Sequence, residues 1–108
     1  MNYSQLVEEL YLCAATCDAC YNGCLIEPDK DDLRDCMMLD KECYEICRLT
    51  GSLVEIDSIS AEKFLKLCSE ICSACAHECE QHTHEHCKRC AEVCRSCAEM
   101  CRQYQVVG

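Results

Sequence analysis

The sequence predicts an all-α protein, an antiparallel up-down-up-down four-helix bundle with a cysteine-lined core. Two observations support this fold class. Cysteine makes up 16 of the 108 residues, and successive cysteines are three or four positions apart over long stretches. Residues at these spacings share one face of an α-helix. Turn-forming residues separate the stretches, so amphipathic helices alternate with short links.

The cysteines form four runs, one for each predicted helix. Three runs keep the spacing of a helical seam, by which we mean a line of side chains three or four residues apart on one face of a helix. The second run keeps this spacing if Asp40 fills a vacant position. The runs are Cys13, Cys17, Cys20 and Cys24; Cys36, Cys43 and Cys47; Cys68, Cys72, Cys75 and Cys79; and Cys87, Cys90, Cys94, Cys97 and Cys101. A bundle normally carries Leu and Val at such positions, so thiols replace much of the apolar core.

The first predicted helix runs from about Ser4 to Ile26, with Asn2 and Gln5 at the spacing of a capping box. Pro28 and its charged neighbours end it. The remaining bounds are about Asp31 to Gly51, Ile59 to His82, and His84 to Gln105. Gly51 serves as the stop signal of the second helix. We expect residues 1–108 to form a single metal-storage domain, since a chain of this length holds one core.

Antiparallel order places the cysteines of the four helices side by side in layers. Reversing the second and fourth runs gives the layers Cys13, Cys47, Cys68 and Cys101; Cys17, Cys43, Cys72 and Cys97; Cys20, Asp40, Cys75 and Cys94; and Cys24, Cys36, Cys79 and Cys90. Cys87 has no place in these layers and lies near one end of the predicted bundle. Four registered layers predict a continuous column of sulfur along the bundle axis.

The two ends of this column differ in composition. One end collects residues suited to a hydrophobic plug: Leu6, Leu10, Leu49, Leu53, Phe64, Leu65 and Tyr104. The other end, which we call the mouth, collects softer and more exchangeable side chains: Met37, His77, His82, His84, His86 and Cys87. We therefore expect the column to be sealed at the plug and loaded at the mouth.

Charge and composition exclude several partners. The net charge of −10 argues against nucleic acid and anionic lipid as partners. No stretch approaches the ~20 apolar residues of a membrane span. We expect a cytoplasmic protein without a signal peptide, because Lys30 is the first basic residue and thiols stay reduced in the cytosol.

The chemistry of buried thiols favours a soft, singly charged metal ion. Without metal the thiols must be neutral, and neutral cysteine packs as a small hydrophobe. A monovalent ion replaces each displaced proton without a net change in charge, whereas a divalent zinc ion held by four thiolates leaves about two negative charges. Thiolate softness also selects Cu(I). Zinc binding, an iron–sulfur cluster and thiol-redox activity remain open as alternatives.

Two residues other than cysteine are candidate ligands. Asp40 occupies a seam position, where its carboxylate is either a ligand or a hydrogen-bonded structural acid. His86 precedes Cys87 and follows His82 by one helical turn, so it is the histidine that we expect to bind metal. No set of residues suited to nucleophilic catalysis is visible, so we do not expect an enzyme.

The whole chain resembles the cytosolic copper storage proteins of bacteria. The resemblance rests on the cysteine pairs four residues apart, on the segment from Leu39 to Cys43, and on the histidine-rich segment from His82 to Cys87. It implies that many Cu(I) ions bind to cysteine pairs inside the bundle, assisted by Asp40 and a mouth histidine. It also implies a homotetramer and suggests a copper donor or chaperone as a partner. The chain has somewhat fewer cysteines than we expect of cytosolic members.

Overall fold

The computed structural model describes residues 3–105, which form four long α-helices. These are α1 (Ser4–Leu25), α2 (Arg34–Glu55), α3 (Ala61–Cys79) and α4 (Glu85–Gln105). One turn of 3-10 helix, Lys30–Leu33, leads directly into α2, and the buried Leu33 anchors it.

The helices form an elongated bundle with principal extents of 46 × 19 × 18 Å. Each helix packs against its neighbours in the chain, and α4 closes the ring against α1. Among residues 3–105, the diagonal helices do not approach each other, which leaves the axis to side chains. The predicted four-helix bundle is confirmed. Within residues 3–105, none of the four helices combines the length and the hydropathy of a membrane-spanning segment.

The start of α1 differs from the predicted capping box. Tyr3 precedes the first helical residue, and its side chain makes no capping hydrogen bond. Asn2, the predicted cap, lies outside the described residues. The helix ends at Leu25, one residue before the predicted end and three before Pro28.

The predicted end of α2 at Gly51 is wrong, because the helix continues to Glu55. Gly51 has ordinary helical geometry, and a Cβ atom added there would lie 2.7 Å from Cε1 of Tyr11. The glycine therefore lets the Tyr11 ring pack against the α2 backbone. Asp57 takes the left-handed conformation expected of a helix stop, with φ of 53°, just beyond α2.

The link between α3 and α4 is longer than predicted. Since α3 ends at Cys79 and α4 begins at Glu85, His82 lies in the connection and not in a helix. This connection and the one between α1 and α2 lie at the same end of the bundle. The mouth is therefore built from two links and the helix ends that flank them.

The opposite end is closed by hydrocarbon side chains. Leu6 and Leu10 have no accessible surface, and Val54 and Leu65 are buried beside them. Leu53, Phe64 and Tyr104 are half-buried, whereas Leu49 was wrongly predicted to lie in the plug and is 44% exposed. The reason is that Leu49 follows Cys47 by only two residues, so it lies off the inward stripe, which continues through Thr50 to Val54.

Candidate metal centre

All sixteen cysteine side chains point into the bundle and have no accessible surface. Because the seam positions recur every three or four residues, each helix presents its thiols along one stripe that faces the axis. Neighbouring Sγ atoms from different helices lie 3.5 to 4.0 Å apart, as in Cys17–Cys94 and Cys20–Cys87. A disulfide requires about 2.05 Å, so the core consists of free thiols in contact.

The thiols form overlapping groups whose ligand atoms all lie within 4.8 Å of one another. These groups include Cys13, Cys47, Cys72 and Cys97; Cys13, Cys17, Cys43 and Cys94; and Cys17, Cys75, Cys90 and Cys94. Because Cys13, Cys17 and Cys94 each belong to two groups, a sulfur atom can serve neighbouring ions. The column is continuous along the axis.

The two cysteines nearest the plug and one nearer the mouth extend this column. Cys68 Sγ lies 3.7 Å from Cys47 Sγ and 3.8 Å from Cys72 Sγ. Cys101 is a fully buried neighbour of Cys68. Cys36 Sγ lies 3.5 Å from Cys79 Sγ, near the mouth.

The flat layers predicted from the sequence are not what the helices form. Neighbours on α2 and α3 match the prediction, as in Cys47–Cys68 and Cys36–Cys79. Across the contact between α1 and α4, however, the register is offset by one cysteine. Cys17 was predicted to face Cys97, but its Sγ lies 3.5 Å from Cys94 and 3.8 Å from Cys90. The physical reason is that packed helices place each side chain in the gap between two others, so the thiols are staggered.

Asp40 is fully buried and accepts hydrogen bonds from four thiols. Its Oδ1 accepts hydrogen bonds from Cys90, Cys75 and Cys79 at 3.3, 3.4 and 3.8 Å, and its Oδ2 accepts one from Cys36 at 3.9 Å. Burial is the largest cause that raises the pKa of the Asp40 carboxyl, to about 9. Without metal, Asp40 is therefore a neutral acid at pH 7. Its oxygens occupy a place in the column where the other helices supply sulfur.

His86 closes the column at the mouth. Its Nδ1 atom lies 3.5 Å from Cys87 Sγ, 3.6 Å from Cys20 Sγ and 3.9 Å from Cys24 Sγ. These four residues form a group that could hold a metal ion. Cys87, which had no place in the predicted layers, therefore belongs to the outermost group. Burial raises the pKa of the Cys87 thiol to about 12 and also raises the pKa of the Cys24 thiol.

Two residues that hold His86 in place were not predicted from the sequence. A Cβ atom on Gly23 would lie 2.8 Å from the His86 ring, so this glycine leaves room for the imidazole. Glu27 Oε2 lies 2.9 Å from His86 Nε2. Two features of the sequence could have pointed to these residues. Gly23 lies inside the first helix, where glycine costs about 1 kcal/mol relative to alanine, and Glu27 is an acid in a link at the histidine-rich end.

The other histidines of the mouth do not contact the thiols. His84 contacts Asp29 and Glu27, and its ring stacks on that of His86 with centroids 5.4 Å apart. His82 pairs with Glu78, and His77 is exposed. Met37, also predicted at the mouth, is half-buried against the core. His86 alone among the four histidines has a ring nitrogen in contact with sulfur.

The donor set suits a soft metal ion and lacks any buried counter-charge. Among residues 3–104, the buried polar or charged side chains are Thr16, Asp40, Thr50 and Ser69, with no Lys or Arg among them. Ionised thiols therefore require metal ions for charge balance. The Sγ separations of 3.5 to 4.0 Å approach the ~4.0 Å between sulfurs around a three-coordinate ion with ~2.3 Å metal–sulfur bonds.

The family model of the copper storage proteins matches residues 1–106. The chain is a member of the copper storage protein family. An uncharacterised cysteine-rich protein of Bacillus subtilis, YhjQ, is 40% identical over 72 residues, which is 67% of either chain. The predicted resemblance to this family is thus confirmed.

Solved structures of copper storage proteins superpose closely on this chain. The Cu(I)-bound copper storage protein BsCsp3, from Bacillus subtilis, is 37% identical with a TM-score of 0.91, covering 95% of this chain and 97% of its own. A cytosolic copper storage protein of Streptomyces lividans, in a structure with five coppers, is 35% identical with a TM-score of 0.92, covering 95% and 91%. A structure of the Streptomyces protein, with a TM-score of 0.91, 35% identity and coverage of 94% and 82%, is loaded with 10 copper equivalents.

Proposed function

We propose that this protein stores or sequesters multiple Cu(I) ions in the cytosol, bound by the thiolates inside its four-helix bundle. The observation that carries this proposal is the burial of all sixteen cysteines as free thiols in overlapping groups. Family membership and relatives that bind Cu(I) support it. Residues 1–108 constitute a single storage domain in this proposal.

The ligands are the sixteen cysteines of the column, with Asp40 and His86 assisting near the mouth. Cu(I) first meets the group of Cys20, Cys24, His86 and Cys87. The next group inward contains Cys20, Asp40, Cys79 and Cys90. Because these two groups share Cys20, an ion can pass inward by exchange of ligands without leaving the protein. Each transfer displaces protons from neutral thiols.

Charge balance separates Cu(I) from zinc. Each Cu(I) replaces one thiol proton, so the filled column carries no large excess charge. Four-coordinate zinc sites along the same column would each leave about two negative charges, and no buried cation among residues 3–105 offsets them. An iron–sulfur cluster is disfavoured, since its sulfide and iron atoms would have to displace thiols already in contact at 3.5 to 4.0 Å.

Storage, rather than catalysis, accounts for the site. The thiols in the described residues 3–105 have no accessible surface where a substrate larger than an ion could react. A copper donor or chaperone is the partner that fits this function.

Competitive metal titration tests the proposal. Reduced protein is titrated anaerobically with Cu(I), Zn(II) and Fe(II) in the presence of a chelator for each metal. We expect several Cu(I) ions per chain to withstand the competitor, while Zn(II) and Fe(II) are removed. Retention of Zn(II) with loss of Cu(I), or visible absorption on iron reconstitution, would favour the zinc or iron–sulfur alternative. Reversible disulfide formation without metal would favour a thiol-redox protein.

We infer a homotetramer in which one of the subunit contacts lies on the outer face of α2 and α3. Ile46, Leu49 and Ile71 line an apolar groove there, with Lys41 and Glu45 at its edges. Opposite charges at the rim suit a self-complementary contact. Leu49→Glu should lower the mass in light scattering, whereas Leu12→Glu on α1, at the same 44% exposure, should not. An unchanged tetramer in the Leu49 variant would place the interface elsewhere.

A further inference from the structure

The two nitrogens of the His86 ring face chemically opposite surroundings. Nδ1 points into the column and lies 3.5 to 3.9 Å from the sulfurs of Cys87, Cys20 and Cys24. Nε2 points outward and lies 2.9 Å from Oε2 of Glu27. A carboxylate can only accept a hydrogen bond, so the nitrogen that faces it carries the hydrogen. In the neutral ring, the other nitrogen then has a free lone pair.

We propose that Glu27 is a positioning residue that fixes the His86 ring and its Nε2–H tautomer, so that the Nδ1 lone pair faces the outermost thiols. This inference rests on the proposed function, in which His86 Nδ1 binds Cu(I) at the mouth. Metal-binding histidines in general donate their second ring N–H to a carboxylate or carbonyl, which sets the ring orientation and raises its basicity.

The backbone after α1 holds Glu27 in the required place. The Glu27 amide donates a hydrogen bond to the Cys24 carbonyl at 3.2 Å, and the Glu27 carbonyl accepts one from Lys30 at the same distance. Glu27 therefore sits in a turn anchored to Cys24, a thiol of the mouth group itself. Its side chain is 25% exposed, so water competes only in part for its oxygens.

The His86 ring is also held from its other sides. Gly23 packs against the ring at the distance where any Cβ would clash. The His84 ring stacks on it, and His84 Nε2 lies 3.2 Å from Asp29 and 3.6 Å from Glu27. His84 Nδ1 is buried without a hydrogen-bond partner among residues 3–105, which agrees with a hydrogen on Nε2. Packing thus fixes the plane of the His86 ring, and Glu27 decides which nitrogen carries the hydrogen.

A second carboxylate–histidine pair supplies the matched control. Glu78 Oε2 lies 2.9 Å from His82 Nε2, the same separation as in the Glu27–His86 pair and at the same end of the bundle. His82 has no sulfur contact, however. Removal of Glu78 therefore deletes an equivalent charge and hydrogen bond without altering a histidine that faces the column.

The first readout needs no metal. Ring nitrogen chemical shifts of reduced, metal-free protein labelled with ¹⁵N-histidine report the tautomer of His86. We expect the Nε2–H form in the wild type and in Glu27→Gln, whose amide oxygen can accept the same bond. In Glu27→Ala we expect a mixture of both tautomers. An unchanged Nε2–H form in Glu27→Ala would overturn the proposal.

The second readout is competition for the first Cu(I) equivalent against a chelator. Glu27→Ala should weaken retention by roughly tenfold to a hundredfold, the range found for partners of metal-bound histidines. Glu27→Gln should recover most of this loss, and Glu78→Ala should match the wild type. Equal losses in Glu27→Ala and Glu78→Ala would overturn the proposal by revealing a general charge effect. Failure of the wild type to bind Cu(I) would instead contradict the proposed function, while the tautomer result would stand.

Discussion

The plug and the mouth both keep water from the sulfur column, but they do so with different chemistry. At the plug, Leu6 and Leu10 have no accessible surface and pack with Val54 and Leu65. At the mouth, the His86 side chain is 23% exposed and its Nδ1 lies 3.5 Å from the buried Cys87 sulfur. One end is closed by side chains that bind no metal, and the other by a side chain that can.

In the proposed function, this difference means that ions enter and leave the column at one end. Hydrocarbon packing at the plug contributes to stability and offers no ligand to an incoming ion. At the mouth, the imidazole of His86 and the carboxylate of Asp40 interrupt the run of thiols, and in the proposed function they are weaker Cu(I) ligands than thiolate. In the proposed function, Cu(I) exchange therefore begins at the mouth, whereas hydrocarbon packing stabilises the plug. Variants that act on one end alone test this separation.

The largest expected effect is on stability at the plug. Leu10→Ala should lower the free energy of unfolding of the metal-free protein by about 2–5 kcal/mol, because it leaves a cavity among fully buried side chains. Urea denaturation measures this change. Copper capacity should be unchanged while the variant is folded, since Leu10 carries no ligand. A lower capacity in the folded variant would show that the ends are not independent.

The second effect concerns Asp40, one group inside the mouth. Its pKa is raised to about 9 in the folded protein, against about 4 when unfolded. The folded protein therefore holds a proton that the unfolded chain releases between these values. This contribution to stability is fully present below pH 4 and is lost as the pH rises through about 9, with a slope of at most about 1.4 kcal/mol per pH unit.

Asp40→Asn should remove this slope. Urea denaturation of reduced, metal-free protein at pH 5 to 8 should give a flatter profile for the variant than for the wild type. This window lies below the ordinary pKa of cysteine, so thiol ionisation contributes little. Parallel profiles for the two proteins would mean that Asp40 is already charged in the folded protein.

The third effect is kinetic and confined to the mouth. His86→Ala should slow Cu(I) loading by roughly tenfold, whereas the total capacity should fall by little because the cysteines remain. Anaerobic stopped-flow transfer from a coloured Cu(I) chelate measures the rate, and its end point gives the capacity. His77→Ala, which removes an exposed histidine, is the control. An unchanged loading rate in His86→Ala would contradict the assignment of the mouth.

The smallest effect uses the two glycines that make room for rings. Gly23→Ala should displace the His86 ring, and Gly51→Ala should displace the Tyr11 ring, since each new Cβ would lie within 2.8 Å of its ring. Both variants gain about 0.5–1 kcal/mol of helix stability to offset the clash. Loading should slow a few-fold in Gly23→Ala alone, as measured by the same transfer assay. Slowing in both would indicate a general disturbance of the bundle.

Most of the secondary structure and the composition of the core can be predicted from the spacing of the cysteines alone. The rhythm of three and four residues places every cysteine on an inward face, whatever the neighbouring helices do. Asp40 was found because it fills a seam position, and His86 because it adjoins Cys87. Gly51 misled the prediction of the α2 end, since glycine is favoured both as a helix stop and where a ring approaches the backbone.

What a sequence of this kind leaves open is the axial position of one helix against another. A seam with a cysteine every three or four residues looks nearly the same after it slides by one cysteine, so the pattern itself does not select a register. The tertiary structure decides it through the packing at both ends, and places Cys94, not Cys97, against Cys17. The same packing brings Glu27 to His86 across 59 residues of sequence, because that contact depends on which links meet at one end of the bundle.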